Sequence, residues 1–110
     1  MTAGDFVDVL ASDELPEGGR RVVTVAGRKV ALVRVQGRAF AVDNACPHRD
    51  GELGLGALEG HHLSCPKHAW CFDVRDGRAF FPPGVAIACF EVREEAARLS
   101  VSPHGRKAAV

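Results

Sequence analysis

The feature that most narrows the folds open to this chain is a side-chain pair that occurs twice: C-P-H at Cys46 to His48 and C-P-K-H at Cys65 to His68, with sixteen residues between them. Both pairs lie where strand-like sequence gives way to Pro47, Gly51, Gly54, Gly56 and Pro66. A loop stiffened by proline can aim two short side chains at a common point, whereas successive residues on a strand alternate between faces. Proline beside a ligand also removes conformational freedom that binding would otherwise have to freeze. The scaffold therefore has to hold two such loops side by side.

The rest of the sequence supplies short β-like phrases. FVDVL alternates apolar and polar residues, RVVTV and KVALVRV are rich in β-branched residues, and AFAVD follows, so residues 6–42 read as a meander. Gly27 and Gly37 supply the positive φ of tight hairpins, and the Asp-Gly of RDGR (Arg75 to Arg78) predicts a type I′ turn. SDELPEGG allows one helical turn capped by Ser12, cut short by Pro16 and the Gly18-Gly19 pair. REEAAR at Arg93 to Arg98 fits either a turn of helix or a hairpin connection between ACFEV and RLSVS. The tail from Pro103 lacks periodicity and is expected to fray. Many short strands in 110 residues predict one domain, residues 1–110, built as a small antiparallel β-sandwich or barrel.

Composition removes several function classes. Fourteen basic residues balance fourteen acidic ones, with no basic stripe, which argues against nucleic acid as a partner. The longest apolar run, VAIACF at Val85 to Phe90, is far shorter than the roughly 20 residues needed to cross a bilayer. Arg20-Arg21 is followed only by VVTV before AGRK, too little apolar sequence for an export signal. The chain reads as cytoplasmic, where thiols stay reduced, so its four cysteines are better explained by metal or packing than by disulfides.

Three chemistries fit a Cys/His pair. A nucleophile with its base needs one pair, and the second would be idle. Zinc accepts two Cys and two His, but zinc fingers place two sulfurs in one claw and two imidazoles in the other, whereas here each claw is mixed. The mixed pattern resembles the Rieske [2Fe–2S] motif, in which each of two loops contributes one Cys and one His. CPHRDGELGLGALEG and CPKHAWCFDVRDGRAF resemble the two cluster loops and following hairpin of Rieske ferredoxins, and FFPPG resembles their proline loop. The similarity runs from about Phe6 to Val101, nearly the whole chain.

That resemblance implies a two-loop cluster-binding subdomain on the β scaffold and one [2Fe–2S] cluster per chain. It assigns Cys46 and Cys65 as thiolate ligands of one iron and His48 and His68 as imidazole ligands of the other. Two thiolates and two neutral imidazoles leave the oxidised cluster uncharged and the reduced one at −1, which raises the potential above that of a four-thiolate cluster. The high-potential branch of the family adds a disulfide and two sulfur-directed hydroxyls, and the matching positions here are Gly51, Lys67, Trp70 and Phe72, none of which can serve. Asp50 and Ala69 stand where the family often has glycine.

Cys71 and Cys89 are expected to be packing residues on strands, a regulatory disulfide between them being the lesser alternative. His61 and His62 are expected to be solvated, His104 belongs to the tail, and Trp70 can shield the cluster or meet a partner. Nothing suggests bond-making chemistry, and 110 residues leave no room for a mononuclear-iron oxygenase domain. The resemblance implies an electron carrier rather than an enzyme, taking electrons from a flavin-containing reductase and passing them to a terminal, aromatic-ring-hydroxylating oxygenase. A Rieske-like subunit of a nitrite-reductase assembly, a zinc-stabilised interaction module and a Cys/His hydrolase are the alternatives. Short, charged edge strands favour a monomer. With few hydrogen-bond donors to sulfur, the midpoint potential should fall at the low end of the family range, below zero, and a redox titration measures it.

Overall fold

The computed structural model describes residues 5–47, 51–67 and 69–109. Its regular structure is β throughout, apart from 3-10 turns at Ser12–Glu14 and Leu53–Leu55. The strands are β1 (Val7–Ala11), β2 (Arg20–Val25), β3 (Arg28–Val35), β4 (Arg38–Asp43), β5 (Leu58–Glu59), β6 (His62–Ser64), β7 (Cys71–Asp73), β8 (Ala79–Phe81), β9 (Ala88–Phe90), β10 (Val92–Glu95), β11 (Arg98–Val101) and β12 (Arg106–Lys107). They form three antiparallel sheets, ordered β1-β11-β10, β12-β9-β4-β3-β2 and β5-β6-β7-β8. Among the described residues no helix is long and apolar enough to cross a membrane.

The five-stranded sheet is the middle layer, and β3 shows why. Ala31, Val33 and Val35 of β3 join Val42, Leu53, Leu63, Phe72 and Val74 in one core. Val30 and Leu32, on the opposite face, join Leu10, Ala41, Phe90, Leu99 and Val101 in another. A strand buried on both faces loses the polar alternation of a surface strand, which is why KVALVRV reads as a nearly unbroken apolar run. Its one charged interior residue, Arg34, is buried and fully engaged. It donates to Leu15 O (2.8 Å), Ser12 O (3.1 Å), Gly37 O (3.3 Å) and both carboxylate oxygens of Glu94 (2.8 and 3.1 Å). One guanidinium thus ties β3 to β10 and to the segment after β1, and it holds the Glu94 carboxyl below the usual glutamate range.

The hairpins β2–β3 and β3–β4 form as expected, with Gly27 at φ 83° and Gly37 at φ 79°. Four expectations need correction. FVDVL does not belong to that meander: β1 pairs with β11, because its apolar face is covered by the second core rather than by β2. Ser12 does not cap its turn. Glu14 reaches back instead, its carboxylate accepting the Ala11 N–H at 3.0 Å. The Asp-Gly of RDGR is not a type I′ turn, since only Gly77 has positive φ, and Asp73 organises the loop by accepting the Arg75 and Gly77 N–H groups. The segment from Pro103 is not without structure: Arg106 and Lys107 pair with Cys89 and Ala88 as β12.

Of the two readings of REEAAR, the hairpin is realised. Ala96 and Ala97 form its turn with φ of 52° and 61°, a left-handed conformation that costs an alanine about 1–2 kcal/mol. Ala97→Gly should therefore stabilise the protein by about 0.5–1 kcal/mol, the gain being reduced by glycine's greater freedom in the unfolded chain, as chemical denaturation would measure.

Candidate functional site

Strand β4 ends at Asp43, and the first Cys/His loop begins three residues later. Asn44 sets that loop. Its side chain is buried, its Oδ1 accepts the Gly54 N–H (2.9 Å), its Nδ2 donates to Glu52 Oε1 (3.2 Å), and its carbonyl accepts the Leu53 N–H (2.8 Å). The loop is closed by the Cys46 N–H donating to Gly51 O at 3.0 Å. The second loop joins β6 to β7 and closes in the same way, five residues apart, with the Cys65 N–H donating to Trp70 O at 2.8 Å. Each cysteine therefore starts a loop of the same span.

The two loops are pressed against each other. A methyl group added at Gly51 would strike Cys65 Sγ and lie 3.6 Å from Cys46 Cβ, so both cysteines border the same small space. Cys46 and Cys65 are 3% and 4% exposed. Gly56 lies so close to the Ser64 carbonyl, one residue before Cys65, that no side chain fits between them. Its φ of −86° is open to any residue, so glycine is required here for contact and not for backbone conformation. His48 and His68, the expected imidazole ligands, lie outside the described residues, as does Asp50.

The donor set and its surroundings suit a small iron–sulfur centre. Two cysteines from separate loops border one small space, the backbone around them is closed by its own hydrogen bonds, and Trp70 packs at the edge of the adjoining core. The remaining candidates lie elsewhere. Cys71 sits on β7 and Cys89 on β9, both as free thiols, so no disulfide joins them. Burial, aided by Asp76 and Asp73, pushes the Cys89 thiol up to about 11, which leaves it protonated and inert at neutral pH. His61 and His62 are only partly solvated. His61 meets Phe40 edge-on (5.7 Å between ring centres) and His62 stacks on Phe80 (4.8 Å). His104 Nε2 lies 3.0 Å from Asp5 Oδ2.

The sheets and the paired loops define a layered β protein that presents two thiols at one point. The Rieske [2Fe–2S] domain pattern matches residues 5–91. The ferredoxin component of the naphthalene 1,2-dioxygenase system of Pseudomonas aeruginosa is 38% identical over 97 residues, spanning 87% of this chain and 93% of that one. The ferredoxin component of the alkene monooxygenase system of Xanthobacter autotrophicus is 36% identical over 98 residues, spanning 88% and 80%. Among solved structures, the ferredoxin of carbazole 1,9a-dioxygenase from Nocardioides aromaticivorans superposes with a TM-score of 0.85 at 27% identity, over 90% of this chain and 98% of that one. A ferredoxin chain solved in complex with the oxygenase of carbazole 1,9a-dioxygenase gives the same TM-score over 93% and 96%. This chain belongs to the Rieske [2Fe–2S] family, and the family implies a [2Fe–2S] cluster. Its relatives of similar length are ferredoxin components, electron carriers of oxygenase systems rather than catalysts.

Asn44 and Gly56 were not singled out from sequence, because their roles depend on which loop lies against which. Gly56→Ala should force the loops apart, costing about 1–3 kcal/mol of stability and lowering the iron retained per chain. Thermal unfolding and metal analysis of the purified variant would check both.

Proposed function

We propose that this chain is a soluble cytoplasmic one-electron carrier with one [2Fe–2S] cluster, which it loads from a flavin-containing reductase and unloads to a terminal oxygenase of the aromatic-ring-hydroxylating type. Cys46 and Cys65 hold one iron, and His48 and His68 hold the other. The observation that carries this reading is the convergence of the two buried cysteines on the space beside Gly51, from loops with matching closure. When bound, the cluster accepts and releases a single electron with little change in geometry. The residues around it keep water from the sulfurs and shape a surface for brief contact.

The surface beside the loops supports transient docking. Leu55, Phe80 and Phe81 are the large apolar residues left exposed among those described, at 65%, 71% and 52%. Leu55 follows the first loop, and Phe81 pairs with Cys71, directly below the Cys65–Trp70 closure of the second. Exposed apolar groups beside such loops commonly mark a contact surface. They fit a partner that approaches over the His48 and His68 edge, in a pairing that leaves the carrier monomeric between encounters. The relatives named as ferredoxin components of dioxygenase and monooxygenase systems point to an oxygenase as that partner.

Protein purified without oxygen should be reddish-brown, with equal iron and inorganic sulfide, and should give a rhombic EPR signal of low mean g after dithionite reduction. Cys65→Ser should abolish colour and signal, while Cys71→Ser and Cys89→Ser should keep both. A colourless protein with one bound zinc would defeat this reading.

A further inference from the structure

A second surface lies at the end of the molecule away from the cysteines. β4, β6 and β7 each have one end at the cluster loops: β4 leads to Cys46, β6 leads to Cys65, and β7 leaves from Trp70. Their other ends carry Arg38, His61 and the loop of Val74 and Arg75. Three contiguous depressions of about 490, 270 and 400 Å³ run from the β12 edge of the sheet to this end. The first is lined by Arg106, His104 and Cys89, the second joins Cys89 to Arg75 and Arg38, and the third continues past Phe40 to His61.

Strand register explains the continuity. Arg106 pairs with Cys89 and Cys89 pairs with Val42, while Arg38, Phe40 and Val42 alternate onto the same face of β4. The floor of the groove is therefore apolar and aromatic, and its ends are cationic. Arg75, over the middle, is already taken by Asp73, which accepts from it at 3.0 and 2.8 Å. His104 is engaged with Asp5. Arg38 is bound only to the face of Phe40 (5.6 Å), and among the described residues neither Arg38 nor Arg106 has a carboxylate partner. The only carboxylate lining the groove is Glu91, near its centre.

We propose that this groove binds an extended acidic polypeptide segment of a partner protein, with two carboxylates reaching Arg38 and Arg106 and apolar residues between them over Phe40 and Cys89. Two strand spacings across and four residues along separate the arginines by a diagonal of about 16 Å, so two carboxylates on one face of an extended chain should stand four residues apart, about 13 Å, with the long side chains spanning the rest. Glu91 disfavours a third carboxylate between them. Small anions would leave most of the groove uncovered. Arg38 lies eight residues of chain before Cys46, on the order of 25 Å if extended, and Arg106 stands two strands aside from Val42 on the sheet edge, so a segment held here runs beside the cluster loops rather than over them. The groove is a tether and not a route for electrons.

The test uses the full chain as purified and a fluorescein-labelled peptide of about ten residues, with two glutamates four positions apart and leucine and phenylalanine between them. At low ionic strength the peptide should bind. Binding should fall at least tenfold for the Arg38→Gln/Arg106→Gln variant and for the peptide with glutamines in place of glutamates. It should strengthen in Glu91→Gln and stay unchanged in Phe81→Ser, while circular dichroism reports the fold of each variant. Absence of peptide binding, equal binding by the double-arginine variant, or tighter capture by phosphatidylserine vesicles than by the peptide would overturn the proposal.

Discussion

Everything about this molecule is arranged around the need to bring two thiols from distant parts of the chain to one point. Loop backbone by itself is too mobile to do so. Here each loop is closed by one backbone hydrogen bond from its own cysteine, and the two are pressed together where Gly56 meets the Ser64 carbonyl and Gly51 meets Cys65. The first contact is backbone against backbone, so it tolerates little adjustment.

That arrangement depends in turn on the middle sheet. The first loop continues β4 and the second is carried by β6 and β7, and the core between their sheets is filled from both sides by β3, β4 and the small sheet. Arg34 secures the other side of the same strand by five hydrogen bonds that reach β10 and the segment after β1. A buried guanidinium is tolerated because every donor direction is used and Glu94 balances its charge. The layers are therefore fastened by apolar packing on both faces of β3, with a polar hub added on the face of Val30 and Leu32.

The pairing of the two cysteine loops was legible in the sequence, since Cys46 and Cys65 stand in matching proline-bearing segments and both border the space beside Gly51. The bracing of the loops was not legible. Asn44 looks like any polar residue at a strand end, and Gly54 and Gly56 look like loop punctuation, until Ser64 and Val22 are found against those glycines. His61 and His62 read as solvent-facing for a similar reason. Their aromatic neighbours are remote in sequence, Phe40 on another sheet and Phe80 two strands away in the same one.

Hairpin turns and β-rich phrases were settled by the sequence alone, since positive φ at Gly27 and Gly37 and the β-branched runs are decided within a few residues. Only the tertiary structure decided that β1 joins β11, that the tail contributes β12, that two alanines turn the β10–β11 hairpin, and that β3 is buried on both faces. Those outcomes depend on which apolar faces find one another across long stretches of chain. Burial of that kind is a property of the assembled layers, and no local pattern encodes it.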